Sequence, residues 1–468
     1  MITLNKIKRV HFLSFYFAKG IAMKKFLVCK QIVLIIFFFS SLLIQAQNKE
    51  IAKINLPVHK YTLKNGLTVL LYQDNAIPMI SYHTWYKVGS RDEYKGVTGA
   101  AHMLEHMMFK GSKKYSGNDF DKILHENGIV NNAFTNYDYT GFYQNLPSSK
   151  LELMMQIEVD RLSQLLIKEE DLLSERDVVK EERRWRVDNN PMMSLFELTM
   201  GTVFKTHNYK NPVIGTMNDI SNYNPEVLRK FYQTYYVPNN AVLVLAGDIK
   251  INEAKKLIEK YYGPLEAKVI PERVYAKEPE QKVQYNAKIK RDVQGVSFNL
   301  AYQSVPQNHK DMYALDLICQ MIGSGTSSRL YKRLINGKEI ATSANCNHFN
   351  MQDHGVFNLH VSVKPGLPMD EALNVVYNEV YMLRTFPVKD AELEKAKILS
   401  IKSIVDSLKT IDGKARALAT SEITTGSHET ILNDIQKYQL VTTKEIKDVA
   451  AKYLNQNQRS IVTMEPKK

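Results

Sequence analysis

Cysteine is scarce in this 468-residue chain, with only Cys29, Cys319 and Cys346. Three cysteines cannot build a disulfide scaffold. No apolar stretch reaches the length of a membrane span, which excludes an integral transporter or channel. Acid is missing from the first 46 residues, which carry seven basic side chains: Lys6, Lys8, Arg9, Lys19, Lys24, Lys25 and Lys30. There a short apolar run follows, from Ile32 to Ile44, interrupted only by Ser40 and Ser41, and then Gln45-Ala46. A basic start, a short apolar core and a small residue at the cut predict a secretory signal peptide over 1–46, cleaved near Ala46, and an exported, periplasmic or extracellular protein. Cys29 lies ahead of the apolar core, where a lipoprotein cysteine would not sit.

A large charge excess is also missing once that segment is set aside. The full chain has a net charge of +13, whereas residues 47–468 hold 55 basic against 49 acidic residues, or +6. Charge therefore gives no argument for nucleic acid. With 44% hydrophobic and 24% charged residues, the composition is that of a folded globular protein of two or three domains. Cys319 and Cys346 remain after export; a disulfide and two inert buried thiols are both open.

The pattern along the chain alternates short strands with long helices. Asn65-Gly66 predicts a hairpin turn within 61–74. Strands are expected at 79–88, 132–135, 141–146 and 241–246, and helices at 99–109, 120–126, 151–166, 169–188 and 225–236. Asn189-Asn190-Pro191 reads as a helix stop. Residues 264–287 turn polar, with Pro264, Pro271 and Pro279, and read as an interdomain linker. The second half repeats the order: strand 298–302, helix 312–322, strands 341–349 and 356–363, helical stretches 370–384, 390–424 and 443–454, and strand 459–464. The stretch 231–246 weakly resembles 449–464. The expectation is an α+β protein of two homologous α/β-sandwich domains, 47–263 and 288–468, each a mostly antiparallel sheet packed with helices.

The sharpest chemical signal is His102-Met103-Leu104-Glu105-His106. The two histidines stand at i and i+4, so they share a helix face and can bind one ion. Glu105 sits near that face and can act as general base on a water. This is the H-x-x-E-H arrangement; two core-facing histidines are the structural alternative. A third ligand is needed. Glu175 and Glu182 are two helical turns apart and share a face, with Glu181 turned about 100° away. Spacing alone does not choose among these acids, and a solvated charged helix would look the same.

His102–His106 followed 76 residues later by Glu182 resembles the insulinase/pitrilysin family of zinc metallopeptidases. So do Val88-Gly89-Ser90 and Gly99 before the histidines, Phe109-Lys110-Gly111-Ser112 after them, Asn132-Ala133-Phe134-Thr135, Asp138-Tyr139-Thr140, Pro212-Val213-Ile214-Gly215 and Tyr236-Val237-Pro238-Asn239-Asn240-Ala241. The blocks run through the whole chain after the signal segment. The resemblance implies that His102, His106 and Glu182 bind Zn²⁺, that Glu105 activates water, and that Glu175 orients or tunes the site. It further implies that the strand at Asn132-Ala133 pairs with substrate backbone by β-addition, which suits an extended peptide.

A departure from the family pattern sits in the second half. Family members often carry there an Arg and a Tyr, seven residues apart, that hold and polarise substrate. Here Ile335 and Thr342 occupy those places. Oxyanion donors are worth several kcal/mol of barrier, so the resemblance implies a heterodimer whose same-fold partner supplies the pair. A homodimer using other donors, with His348, His354 and Tyr302 as candidates, is the alternative. The expected function is a zinc-dependent endopeptidase acting on peptides or unfolded segments. A non-catalytic peptide-binding or assembly subunit is the second reading, disfavoured because all four metal-site residues are present.

Overall fold

The computed structural model describes residues 54–467. The signal segment expected at 1–46 and its cleavage near Ala46 lie outside the described residues. Among the described residues, no helix is long and apolar enough to cross a membrane.

Two mixed sheets organise the chain. The first contains β1 (Val58–Thr62), β2 (Thr68–Gln73), β3 (Met79–Tyr86), β4 (Val130–Thr135), β5 (Thr140–Pro147) and β6 (Ala241–Gly247), in the order β1-β2-β6-β3-β5-β4. The second contains β7 (Tyr285–Arg291), β8 (Ser297–Ser304), β9 (Ala341–Phe349), β10 (Gly355–Val363) and β11 (Arg459–Pro466), in the order β7-β11-β8-β10-β9. Without β1 the two orders are the same. In each sheet the first of these strands pairs parallel with the last, β2 with β6 and β7 with β11, and every other pairing is antiparallel. The weak internal repeat in the sequence thus ends on β6 and β11, which are equivalent. Each half has its own apolar core, so the protein is two homologous α/β-sandwich domains.

The expected hairpin forms. Gly66 takes φ +85°, and a Cβ there would meet Asn239 Cβ at 2.7 Å, so glycine alone fits the turn. Among the helices of the described residues are α1 (Ala100–Met107), α2 (Glu169–Arg183), α3 (Pro191–Val203), α4 (Met312–Gly323), α5 (Met369–Thr385) and α6 (Ile411–Thr425). The structure adds one helix and corrects two expectations. The helical segment stops after Asp188 as expected, and Pro191 also opens α3: the Asn190 side chain accepts from the N–H groups of Met192 and Met193, and proline at the first turn loses no helical bond. The helical stretch 390–424 is two helices, Asp390–Ser407 and α6, because Thr410 caps the second one through the Gly413 N–H. The second sheet begins at Tyr285, inside the polar segment expected to be linker.

The halves exchange helices. α3 belongs to the first half yet packs on β7, β8 and β11, with Leu195 against Val462 and Met464. α6 belongs to the second half yet packs on β3 and β6. Each exchange carries a polar pin. Asn299 Nδ2 donates to Thr199 Oγ1 at 2.9 Å. On the other side, Trp85 Nε1–H donates to Nδ1 of the buried His83, which fixes the tautomer, and His83 Nε2–H donates to Asp412 at 3.2 Å. The segment before β7 has no regular element but is tied down. The buried Glu278 carboxylate accepts from the N–H groups of Lys205, Thr206 and His207. Cys319 on α4 and Cys346 on β9 form a disulfide with a Cα–Cα distance of 5.3 Å, which settles the choice that the sequence left open.

Candidate metal centre

α1 carries the two histidines, and its N-terminus is held tightly. Gly99 caps it at φ +87°, where a Cβ would lie 2.4 Å from the Ile214 carbonyl; a Cβ on Gly215 would lie 2.3 Å from the Thr98 carbonyl. Glycine at both places lets the two backbones touch. The buried Glu93 carboxylate accepts from the N–H groups of Gly99 (2.7 Å) and Ala101 (2.9 Å). Burial raises its pKa far above the usual range, against the pull of those N–H groups. Two acceptor oxygens at a helix N-terminus satisfy otherwise orphaned N–H donors. Glu93 escaped the sequence reading, since no spacing rule links an acid in an irregular loop to a helix six residues on.

From this fixed start, His102 and His106 project along one face with ring centroids 4.7 Å apart. α2 lies against α1 and brings Glu182 to both rings. Glu182 Oε2 is 3.2 Å from His106 Nε2 and 3.6 Å from His102 Nε2. One donor atom from each of the three residues falls within 4.8 Å of the others. Glu182 Oε2 is buried without a hydrogen-bond partner among the described residues, as expected of an atom that completes its bonding on a cation. Two imidazole nitrogens, a carboxylate and an open side match the donor set of a catalytic zinc site. Among the three acids left open by spacing, Glu182 is the one that reaches both histidines. Glu181 is 70% exposed in its side chain and pairs with Arg184.

Glu175, two turns earlier on α2, accepts from His106 Nδ1–H at 2.8 Å and also pairs with Lys110. This fixes the His106 tautomer so that Nε2 faces Glu182, the usual role of a carboxylate behind a metal-binding histidine. Burial would raise the Glu175 pKa, but His106 and Lys110 outweigh it and hold it low. His102 is driven down to about 4, first by burial and then by His106. For His106, burial lowers the pKa, yet the bond to Glu175 and the nearby Glu182 carboxylate win and raise it to about 9.

Glu105 faces the edge strand. Its Oε2 accepts from Thr135 Oγ1 at 2.6 Å. Burial raises its pKa, opposed by that bond, which suits a proton acceptor working near neutrality. These residues line a cleft of about 760 Å³ whose walls include Asn132, Ala133, Phe134, Val178 and Trp185. Among the described residues, β4 is the last strand of its sheet and pairs with β5 alone, so its outer backbone edge borders the cleft. Asn132 and Ala133 both lie on it. Ile335 is half-buried against the second core, and Thr342 on β9 is exposed, donating to the Ser362 carbonyl at 3.3 Å.

Comparison with known proteins agrees with this geometry. The family described as "Insulinase (Peptidase family M16)" matches residues 68–217, and "Peptidase M16 inactive domain" matches 222–399. The chain is 32% identical over 420 residues to "Zinc protease PqqE" of Helicobacter pylori, covering 88% of this chain and 94% of that one. It is 24% identical to "Uncharacterized zinc protease YmxG" of Bacillus subtilis, covering 84% and 95%. A crystal structure of a protease from Helicobacter pylori superposes with a TM-score of 0.84 at 30% identity, covering 88% of this chain and all of that one. The peptidase M16 inactive domain from Pseudomonas fluorescens shares the fold, with a TM-score of 0.81 at 17% identity over 88% and 98% of the two chains. The chain belongs to the insulinase family, peptidase family M16.

Proposed function

We propose that the protein is a zinc-dependent endopeptidase that cuts peptides or unfolded segments. The observation that carries this reading is the convergence of His102, His106 and Glu182, with Glu105 beside them, under the free edge of β4. Relatives named zinc proteases support it. Zinc bound by the three residues would supply a Lewis acid that polarises the scissile carbonyl and acidifies water.

The chain's own residues do the rest. The outer edge of β4 at Asn132 and Ala133 pairs with an extended substrate and holds it across the cleft. Thr135 keeps one oxygen of Glu105 occupied, so the other, Oε1, takes the proton of the attacking water. Glu175 keeps His106 in the ligating tautomer. The Arg/Tyr pair is supplied by a second chain of the same fold, in a heterodimer that closes around the substrate. Ile335 and Thr342 offer little in its place, and His348, a candidate donor for a homodimer, has a side chain only 2% exposed. The chain is exported after cleavage near Ala46.

The test measures zinc content and peptide hydrolysis of the mature chain beside Glu105→Gln. About one zinc per chain, with activity lost in the variant, is the expected result. Zinc bound with an idle wild type directs the search to the partner chain. A chain that binds no zinc sinks the endopeptidase reading and leaves a peptide-binding subunit.

A further inference from the structure

The second half carries a cluster of cations that neither the metal centre nor the exchanged helices use. A cavity of about 330 Å³ is lined by Tyr302, Tyr377, Tyr381, Arg384, Gln456 and Arg459 among others, with no carboxylate in its wall among the described residues. Three of these residues follow from helical spacing: Tyr377, Tyr381 and Arg384 stand at i, i+4 and i+7 on α5 and share a face. The other side is set by sheet register, since Arg459 on β11 pairs directly with Tyr302 on β8. Helix face and sheet end thus bring two guanidinium groups together.

Their bonding is incomplete. Arg384 Nε is buried and has no hydrogen-bond partner among the described residues. Arg459 is held flat, its Cζ 4.1 Å from the Tyr377 ring centroid and its Nε donating to Gln284 Oε1 at 2.6 Å. That leaves its terminal nitrogens for the cavity. The buried Tyr302 lines the same cavity as both cations; burial pushes its phenol up while Arg459 and Arg384 pull it down. A buried guanidinium N–H without an acceptor is costly, and two cations that line one cavity repel. A solvated arginine face would show neither a buried Nε nor a pre-stacked plane.

We propose that this cavity binds an oxyanion, a carboxylate or a phosphate, gripped by Arg384 and Arg459 and hydrogen-bonded by Tyr302. Planar forks of this kind match the two oxygens of such a group. The group can come from the C-terminal carboxylate of a peptide or from a free small anion. The first source would make the metal-free half a docking point for chain ends.

The test is isothermal titration of the full mature chain, zinc-loaded, with three probes: inorganic phosphate, a short peptide with a free C-terminal carboxylate, and the same peptide amidated. Because the metal cluster attracts anions as well, wild type is compared with Arg384→Gln, which leaves that cluster intact. The expected result is saturable binding that weakens about tenfold or more in the variant. Hydrolysis of a peptide blocked at both ends should be unchanged. Binding of the free peptide but not of its amide or of phosphate identifies a chain terminus as the occupant; binding of phosphate identifies a small anion. Arg384→Lys keeps the charge without the planar fork and should lose affinity too, which covers the case that the glutamine variant does not fold. Equal affinity in wild type and both variants, or no saturable binding of any probe below about 10 mM, overturns the proposal.

Discussion

The two halves share a strand order but use one equivalent place in opposite ways. In each, a helix following the second strand of the repeat lies beside the last strand of the sheet: α1 beside β4, and α4 beside β9. In the first half the helix and strand are joined by a single side-chain bond, Thr135 to Glu105, and the gap between them is a cleft with orphaned donor atoms. In the second half they are joined covalently, Cys319 to Cys346. Beside the disulfide runs a closed chain of bonds: Ser304 Oγ–H to His348 Nε2 (2.5 Å), His348 Nδ1–H to Asp316 (2.6 Å), and Tyr438 O–H to the same carboxylate (2.6 Å). A histidine bonded at both nitrogens and nearly sealed from solvent has nothing left for a ligand. Topology therefore fixes where a site can be, and the residues at that junction decide between chemistry and stability.

The largest effect should come from breaking the open junction. Glu105→Gln keeps the shape and the Thr135 contact but cannot take a proton. Hydrolysis should fall about 10²–10⁴-fold, with zinc content unchanged by metal analysis. Breaking the closed junction should cost stability instead. The disulfide spans 27 residues, and loss of such a cross-link costs on the order of 3 kcal/mol. The double variant Cys319→Ala/Cys346→Ala should lower the unfolding free energy in urea by that amount while zinc binding persists. If it abolished zinc binding and left the urea transition alone, the contrast between the halves would be wrong.

How much of this is legible in the sequence depends on the range of the interaction. The Asn65-Gly66 turn and the His102/His106 helix are written in neighbouring residues and form as their spacing predicts. The same local grammar tells only half at Asn190-Pro191. Pro225 signals a helix start, and the helix begins there behind an Asn224 cap; Asn190-Pro191 signals a stop, although the same cap and the same proline open α3. Closing one helix and opening the next are not exclusive when the chain turns between them. The exchange of α3 and α6 between halves is not legible, because an apolar helix face does not say which sheet will cover it. Nor is the choice of Glu182 over Glu181 and Glu175, which spacing alone leaves open and which follows from the way α2 crosses α1. Glu93 is hidden for the same reason: its partners are backbone groups fixed by the Gly99–Gly215 contact.

A smaller effect sharpens the stability side of the comparison. His360, buried on β10, bonds through Nδ1 to Asn299 and through Nε2 to Ser362. Burial lowers its pKa to about 4, whereas an unfolded histidine titrates near 6.5. Between those values the unfolded chain binds the extra proton, so stability rises with pH there. It is fully present above about 6.5 and lost as pH falls toward 4, by roughly 2–3 kcal/mol. Denaturant midpoints measured from pH 7 to 4 should drop accordingly, and less steeply in His360→Asn. Equal slopes would remove His360 as the cause.

The smallest effect should come from Glu175, and it separates two roles for one residue. The carboxylate bonds to His106 Nδ1 and to Lys110, while Glu182, not Glu175, meets both histidine Nε2 atoms. Under the proposed endopeptidase function, this geometry gives Glu175 the part of a positioning residue that acts through His106. Glu175→Gln retains an acceptor oxygen but removes the charge that makes His106 a stronger ligand. Zinc affinity should weaken about tenfold, with kcat nearly restored at saturating zinc. A kcat that stays low with zinc fully bound, at unchanged affinity, would instead place Glu175 in the proton-transfer step. The comparison would then have to count three acids, not two, as working parts of the open junction.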